Sequence, residues 1–312
     1  MKTMIDFDRA VVVAIPVTAG FGEADARECM LLEGPQGWGE FSPPPDADDL
    51  AAGRWLTAAV EPGTVGWPDP VRGRVPVAVQ IPAVAAAEAH RLVVDSGCAT
   101  ADVVVGSSVG GGSVDDDVAR VAAVRDALGP AGRIRCDARG GWDVAAAVAA
   151  IPVLMDAAGE LEFVTAPCRT TDELTAVRRQ VDVRIAGTAS DAVDVLVLTA
   201  AALGGVRRAM RVAEKSGLPC VVSAGRETSI GLAAAAALAG VLPELPFACA
   251  IGRPPWVAGD VVSAGRVMVA ADGHLPVAPM PPAPDRGLLD RYAVTDATRL
   301  AWWRRRLQQA HY

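Results

Sequence analysis

The sequence predicts an α/β barrel preceded by a small antiparallel sheet. Three observations carry that reading. From residue 75 onward eight short apolar runs recur, most of them followed by a helical pattern. Strands buried on both faces of a parallel sheet alternate with crossover helices in this way. Ahead of them, residues 8–40 alternate apolar and polar positions around a glycine-rich turn, as antiparallel strands do. Between the two parts, residues 62–75 are rich in proline and glycine and mark a boundary.

Bulk composition narrows the class. The chain has 312 residues, 51% of them hydrophobic, enough for one large core with a smaller unit beside it. Aromatic residues are only 4%, so the core is built mostly from Val, Ala and Leu. A net charge of −8 argues against nucleic acid and against an anionic membrane surface as partners. The opening segment carries two aspartates before a short apolar run and does not read as a signal peptide. No apolar stretch is long enough to span a bilayer, so a soluble cytoplasmic protein is expected. Cys29, Cys98, Cys136, Cys168, Cys220 and Cys249 show no paired spacing and are expected to be buried free thiols.

The runs follow in order. Residues 75–82 lead into the helical pattern AVAAAEAHRLVV, and ADVVVG leads through a glycine-rich loop into VDDDVARVAAVRDAL. RIRCDA precedes WDVAAAVAAIPVLMDA, and LEFVTAP precedes TDELTAVRRQV. VRIAGT and DVLVLTA come next, then the helix GGVRRAMRVAEKSG, the run PCVVSAG, the helix SIGLAAAAALAGVL and the run PFACAIG. From residue 260 the chain returns to strand and turn character and closes on the basic, Trp-containing LAWWRRRLQQ. One connection is anomalous. Only a handful of residues lie between Thr188 and Asp194, whereas a parallel crossover needs about a dozen. The outer helix expected there is missing. Either the barrel is locally open or one of these runs is not a regular barrel strand.

The stretch RCDARGGW, residues 135–142, ends an apolar run at two glycines. Asp137 therefore sits at the rim of the sheet, where barrel chemistry is located, and a rim aspartate serves as a metal ligand or a general base. Arg139, two residues on, is expected on the same face.

Several strings, in order along nearly the whole chain, resemble the actinobacterial o-succinylbenzoate synthases of the enolase superfamily. They are GPQGWGEF, RVPVAVQIPAVAAAE, RCDARGGWDVAAAVAAI, LEFVTAPC, TDELTAVRRQVDV, LGGVRRAMRVAEKSGLPCVVS, ETSIGLAAAAALAGVLPELPFAC and AWWRRR. The resemblance implies an enolase-like fold. An N-terminal α+β capping domain (1–74) would sit on a modified (β/α) barrel of TIM type (75–259). Residues 260–312 would pack back on the cap. The implied chemistry is β-elimination of water from a cyclohexadiene carboxylate. A lysine removes the proton α to the carboxylate, Mg²⁺ on three carboxylates stabilises the enediolate, and a second lysine faces the opposite side.

Carried over residue by residue, the resemblance meets substitutions. The lysine pair of the second strand falls on Asp102 and Val104. The first metal ligand matches Asp137, with Arg139 where the family has Asn. The second ligand falls on Thr165, the third on Thr188 or Ala189, and the lysine of the sixth strand on Thr199. The chain's two lysines are Lys2 at the N-terminus and Lys215 in an outer helix. A lone carboxylate does not hold Mg²⁺, which needs several hard oxygens in octahedral geometry, and Arg139 would repel the cation. No metal and no cofactor are expected.

The rim offers other groups. Asp102 is a candidate general base, or else the partner of Arg139 or another rim arginine. Asp137 with Arg139 is a candidate pair for a polar substrate, Arg139 holding a carboxylate or enolate oxygen, or else a neutralised relic. Arg226, Glu227, Arg253 and Trp256 are expected at the pocket mouth, the arginines for an anion and Trp256 as an apolar lid. Thr165, Thr188, Thr199 and Ser223 give a roomier floor of hydroxyls. Neither His90 nor His274 is placed to activate Ser223. The glycine-rich loop 106–113 lacks the GK[ST] of a phosphate loop and reads as a rim loop.

Two functions follow. The first is a metal-independent, repurposed enzyme, a cyclase, isomerase or lyase, acting on a carbonyl- or carboxylate-bearing small molecule. The second is a pseudoenzyme that keeps the fold for binding or regulation. A Mg-dependent synthase ranks last. The expected partner is a small molecule, with homo-oligomerisation left open.

Overall fold

The computed structural model describes residues 5–17, 26–106, 112–224, 227–252 and 257–311. The expected antiparallel sheet is present. Strands β1 (Val11–Pro16), β2 (Ala26–Gly34) and β3 (Gly37–Phe41) pair in the order β1-β2-β3. Helix α1 (Asp49–Thr64) starts at Asp48, whose carboxylate accepts the Ala51 N–H, and packs its Trp55, Leu56 and Ala59 against Met30, Leu32 and Phe41 of the sheet. The approach is close: a Cβ on Gly39 would overlap the carbonyl oxygen of Ala59.

Strand β4 (Arg74–Pro76) leads into the barrel. Its strands are β5 (Val79–Ile81), β6 (Thr100–Val104), β7 (Arg133–Asp137), β8 (Val164–Thr165), β9 (Ile185–Gly187), β10 (Val195–Leu198) and β11 (Cys220–Val222). All pairs between successive strands of the series are parallel. The last apolar run, PFACAIG, closes the ring through single-residue bridges rather than a full strand. Cys249 donates to the Pro76 carbonyl at 2.8 Å on one side, and Ala250 donates to the Val222 carbonyl at 2.8 Å on the other.

The crossover helices are α2 (Ala86–Ser96), α3 (Val114–Leu128), α4 (Val144–Ala158), α5 (Thr171–Arg178), α6 (Ala200–Leu203), α7 (Val206–Ser216) and α8 (Ser229–Val241). Four of them, α3, α4, α5 and α8, start on side-chain caps. Ser113 with Asp116 and Thr170 with Glu173 form capping boxes, and Asp143 and Thr228 accept the free N–H groups of α4 and α8. Strand alternation divides the core. Ala101, Val103, Ile134, Cys136, Val164 and Ile185 face outward onto the helices, while Phe163, Ala186, Val195, Val221 and Phe247 fill the lumen. All six cysteines are free and buried.

The missing helix is missing, and the barrel is nonetheless paired there. Residues 188–194 return directly from β9 to β10, which pair Val195 to Ala186 and Leu196 to Gly187. Buried Ala192 and Val193 cover the outer face beside Leu174 where a helix would lie. Asp194 fixes the return: its carboxylate accepts the Ile185 N–H at 2.9 Å and the Arg178 Nε–H at 2.7 Å.

The C-terminal segment contributes β12 (His274–Pro276), paired with β4, then α9 (Arg286–Tyr292) and α10 (Ala297–His311). Trp303 and Leu307 of α10 pack into the core of the small sheet with Phe41 and Trp55. Among the described residues no helix is long and apolar enough to cross a membrane.

The close approach of β3 and α1 generates a stability prediction. Gly39→Ala should cost about 3 kcal/mol or prevent folding, because backbone must move to admit the methyl. Gly97→Ala, at a left-handed helix end in open space, should cost only about 1 kcal/mol. Urea unfolding of the two variants checks both values.

Candidate functional site

The barrel mouth is formed by the carboxyl ends of the parallel strands, the end at which barrel active sites lie. On β6 and β7, alternation turns Asp102, Arg135 and Asp137 inward while Ala101, Val103, Ile134 and Cys136 face the helices. Arg135 is completely buried in the lumen. Its Nη1 donates to the Ala248 carbonyl at 2.7 Å, its guanidinium carbon lies 5.2 Å from the centre of the Phe163 ring, and its Nε lies 3.4 Å from Asp102 Oδ2. Asp102 Oδ1 and Arg135 Nε and Nη2 are buried without a hydrogen-bond partner, so Asp102 and Arg135 meet as an ion pair without a hydrogen bond.

Asp137 ends β7, paired in register with Thr165. Its Oδ1 accepts the backbone N–H of Arg139 at 3.0 Å, and its Oδ2 lies 3.6 Å from Arg139 Nε. Burial and the neighbouring Asp102 carboxylate push the Asp137 carboxyl up to about 6, against the opposing pull of Arg139.

Of the partners left open for Asp102, the structure gives an arginine other than Arg139, namely Arg135; Arg139 is not its partner. Arg139 does not continue the strand face either: its φ of 52° turns the chain into the left-handed region, so the alternation stops at Asp137 and the Arg139 side chain is exposed. Thr165, Thr199 and Ser223 are half-buried at the mouth, whereas Thr188 is exposed on the β9–β10 return. Glu227 is buried just before Thr228, the N-cap of α8, rather than open at the mouth. Arg226, Arg253 and Trp256, and positions 107–111 of the glycine-rich loop, lie outside the described residues.

A second set of groups joins Thr199 and Ser223 beside the mouth. Between the small sheet, α10 and the β10–β11 side of the mouth lies a cleft of about 740 Å³, lined by Arg27, Glu28, Trp55, Thr199, Ser223 and Trp302 among others. Arg135 had a legible signal, an arginine on the inward parity of an otherwise apolar strand. Arg27, Glu28, Trp55 and Trp302 had none, because the cleft residues named above come from five distant segments.

A small sheet docked on the carboxyl end of a parallel barrel defines an enolase-type protein. Models of two enolase families match: "Enolase N-terminal domain-like" over residues 12–63 and "Enolase C-terminal domain-like" over residues 84–284. The o-succinylbenzoate synthase of Thermobifida fusca is 47% identical over 277 residues, covering 85% of this chain and 86% of that protein. The o-succinylbenzoate synthase of Mycobacterium leprae is 37% identical over 310 residues, covering 95% and 89%. The muconate lactonizing enzyme of Pseudomonas fluorescens, in complex with muconolactone, superposes with a TM-score of 0.77 at 18% identity, covering 94% of this chain and 100% of that one. The chain belongs to the enolase superfamily, with o-succinylbenzoate synthases as its curated relatives.

The magnesium ion that the family resemblance implies does not fit the residues present. Of the positions matched to its ligands, Asp137 keeps a carboxylate, while Thr165 and Thr188 offer hydroxyls. Among the described residues no group of three or more His, Cys, Asp or Glu is placed to hold a metal ion.

The raised Asp137 carboxyl has a measurable consequence. The folded protein binds more protons than the unfolded chain between its ordinary value of 3.8 and about 6. The Asp137 contribution to stability is therefore complete below 3.8 and is lost as pH rises through 6. Asp137→Asn keeps the acceptor for the Arg139 N–H and removes the repulsion with Asp102. It should stabilise the protein at pH 8, by at most about 3 kcal/mol, with the gain vanishing near pH 4. Calorimetric melting across that range tests this.

Proposed function

We propose that this chain is a metal-independent, o-succinylbenzoate-synthase-like enzyme that moves a proton at carbon next to a carbonyl or carboxylate of a small molecule. The observation that supports it is charge pairing. Each inward carboxylate described above faces a guanidinium of the same chain, Asp102 with Arg135 at 3.4 Å and Asp137 with Arg139 at 3.6 Å. A site already neutral in this way does not call for a divalent cation, and fixed guanidinium donors stabilise a developing enolate oxygen.

In this reading Asp137 is the base. It takes the proton α to the carbonyl, the C–H electron pair becomes the enolate, and the enolate oxygen is held by Arg139 with Thr165 beside it. Returning the proton to another carbon completes an isomerisation; expelling a β-hydroxyl, which takes up the proton and leaves as water, completes an elimination. A carboxyl near 6 suits a base working near neutrality. Binding without turnover is the second reading. It is favoured by the Asp102–Arg135 pair, which immobilises a carboxylate where the family would place a lysine.

The test uses o-succinylbenzoate, whose ketone has exchangeable α-protons, and the cyclohexadiene carboxylate of the implied dehydration. Deuterium incorporation from solvent, followed by NMR, or dehydration should proceed in excess EDTA. Either should fall about 100-fold or more in Asp137→Asn, the usual loss for an acid–base group. Activity that appears only on adding Mg²⁺ overturns the metal-free reading, and binding with no exchange or dehydration favours the second.

A further inference from the structure

We propose that the floor of the barrel, the end opposite the mouth, binds a small zwitterion of the α-amino-acid class, with its carboxylate on Arg133 and Arg184 and its ammonium on Glu162. The proposal is independent of the chemistry assigned to Asp137. It gives the chain a second ligand site, at which no step of that reaction occurs.

The floor is concave. The amino ends of the parallel strands and the closing run leave a cavity of about 510 Å³ there, within the usual range for small-molecule sites. Arg133 opens β7, Glu162 precedes β8, Arg184 precedes β9 and Pro219 precedes β11. A second cavity of about 590 Å³, toward the ends of α3 and α4, shares Arg133, Glu160 and Glu162 with the first. Phe163 and Phe247, with ring centres 5.1 Å apart, fill the lumen between the floor and the mouth.

Charges of both signs line the floor cavity without pairing. Among the described residues no ion pair joins Arg133 or Arg184 to Glu160 or Glu162, and the exposed Arg133 guanidinium makes no hydrogen bond. Arg184 donates from Nε to the Glu162 main-chain carbonyl at 3.0 Å, and its guanidinium carbon lies 5.1 Å from the centre of the Phe247 ring. Its Nη groups are left for a ligand. Glu162 Oε2 is buried without a hydrogen-bond partner. Burial pushes the Glu162 carboxyl up, although Arg135, Arg133 and Arg184 pull it down. Nearby guanidiniums thus do not supply the direct contact that a buried carboxylate needs. Arg125, on the wall of the second cavity, shows what a structural arginine does instead. Its Nε and Nη1 are spent on the carbonyls of Ala158, Gly129 and Gly132, which ties α3 to the end of α4.

These groups specify the ligand. Unspent guanidinium N–H groups call for a carboxylate, whose planar geometry matches theirs. The unpartnered Glu162 oxygen calls for a donor, and an ammonium supplies one with the opposite charge. A lone anion would face Glu160 and Glu162, and a lone cation would face Arg133 and Arg184. A molecule that carries both charges satisfies each side and leaves the balance of two arginines and two glutamates unchanged. Pro219 and Pro246 add apolar wall for a hydrocarbon side chain.

The experiment titrates the full-length protein calorimetrically with phenylalanine, and with phenylpropanoate and phenethylamine, which each lack one of its charges. Phenylalanine should bind, and each control should bind about tenfold or more weakly for the loss of one charge-assisted contact. Glu162→Gln and Arg133→Gln should each raise the Kd for phenylalanine about tenfold, and Arg133→Lys should recover part of the affinity. The exposed Arg133 side chain holds no other group of the protein, so its variants do not act through folding; melting curves control for Glu162→Gln. Asp137→Asn should leave the Kd unchanged. No binding of phenylalanine, equal binding of either control, or an unchanged Kd in both Glu162→Gln and Arg133→Gln overturns the proposal. Binding that is lost in Asp137→Asn or competed by o-succinylbenzoate places the ligand at the mouth and overturns it as well. None of these results bears on the proton transfer assigned to Asp137.

Discussion

Glu40 is the constraint on which the arrangement depends. It is buried on β3 and accepts from Arg27 of β2, from the Ser42 hydroxyl and from the Thr228 N–H and hydroxyl and the Gly231 N–H at the start of α8. Asp260, also buried, accepts from the Ser229 N–H and hydroxyl. The positive end of one almost wholly apolar helix therefore receives a carboxylate from the small sheet and another from the C-terminal segment. Buried carboxylates are tolerable only when fully hydrogen-bonded, and removing a partner costs about 3–5 kcal/mol. The small sheet is thus held to the barrel in one register, with the cleft wall fixed above the β10–β11 side of the mouth.

The second organising feature is electrical closure. The lumen carries the Arg135 guanidinium, matched to Asp102, and the rim carries Asp137, matched to Arg139. Arg135 is tolerated there because Phe163 stacks against it, the Ala248 carbonyl accepts from it and Asp102 lies opposite. The unpartnered Asp102 Oδ1 and Arg135 Nη2 leave this pair less tight than a bidentate bridge, with polar capacity still unspent inside a barrel of mostly apolar side chains.

Much of the fold was legible because its physics is local. Apolar runs at strand spacing, and proline and glycine at boundaries, all act within a few residues. The closing run was legible as a strand but not as a pair of isolated bridges, since its extent is set by Pro76 and Val222 far away in sequence. In the site, Asp137 stood out because it ends a strand at two glycines. Arg139 was misplaced because alternation was carried one step past the end of that strand, and a positive φ is not written in the identity of an arginine. Arg27 and Trp302 were invisible as site residues. They are brought together by the docking of α10 and the small sheet, which no single segment encodes.

The seven-residue return between β9 and β10 has a kinetic meaning. Closing a chain loop costs entropy that grows with loop length, so this is the cheapest parallel pairing in the barrel to form from an open chain. Elsewhere in the ring a strand must wait for an intervening helix before it finds its neighbour. Here Asp194 reaches Ile185 across a loop that closes on the submicrosecond scale. By loop-closure cost alone, this pairing is open to the unfolded chain ahead of those between the more distant strands.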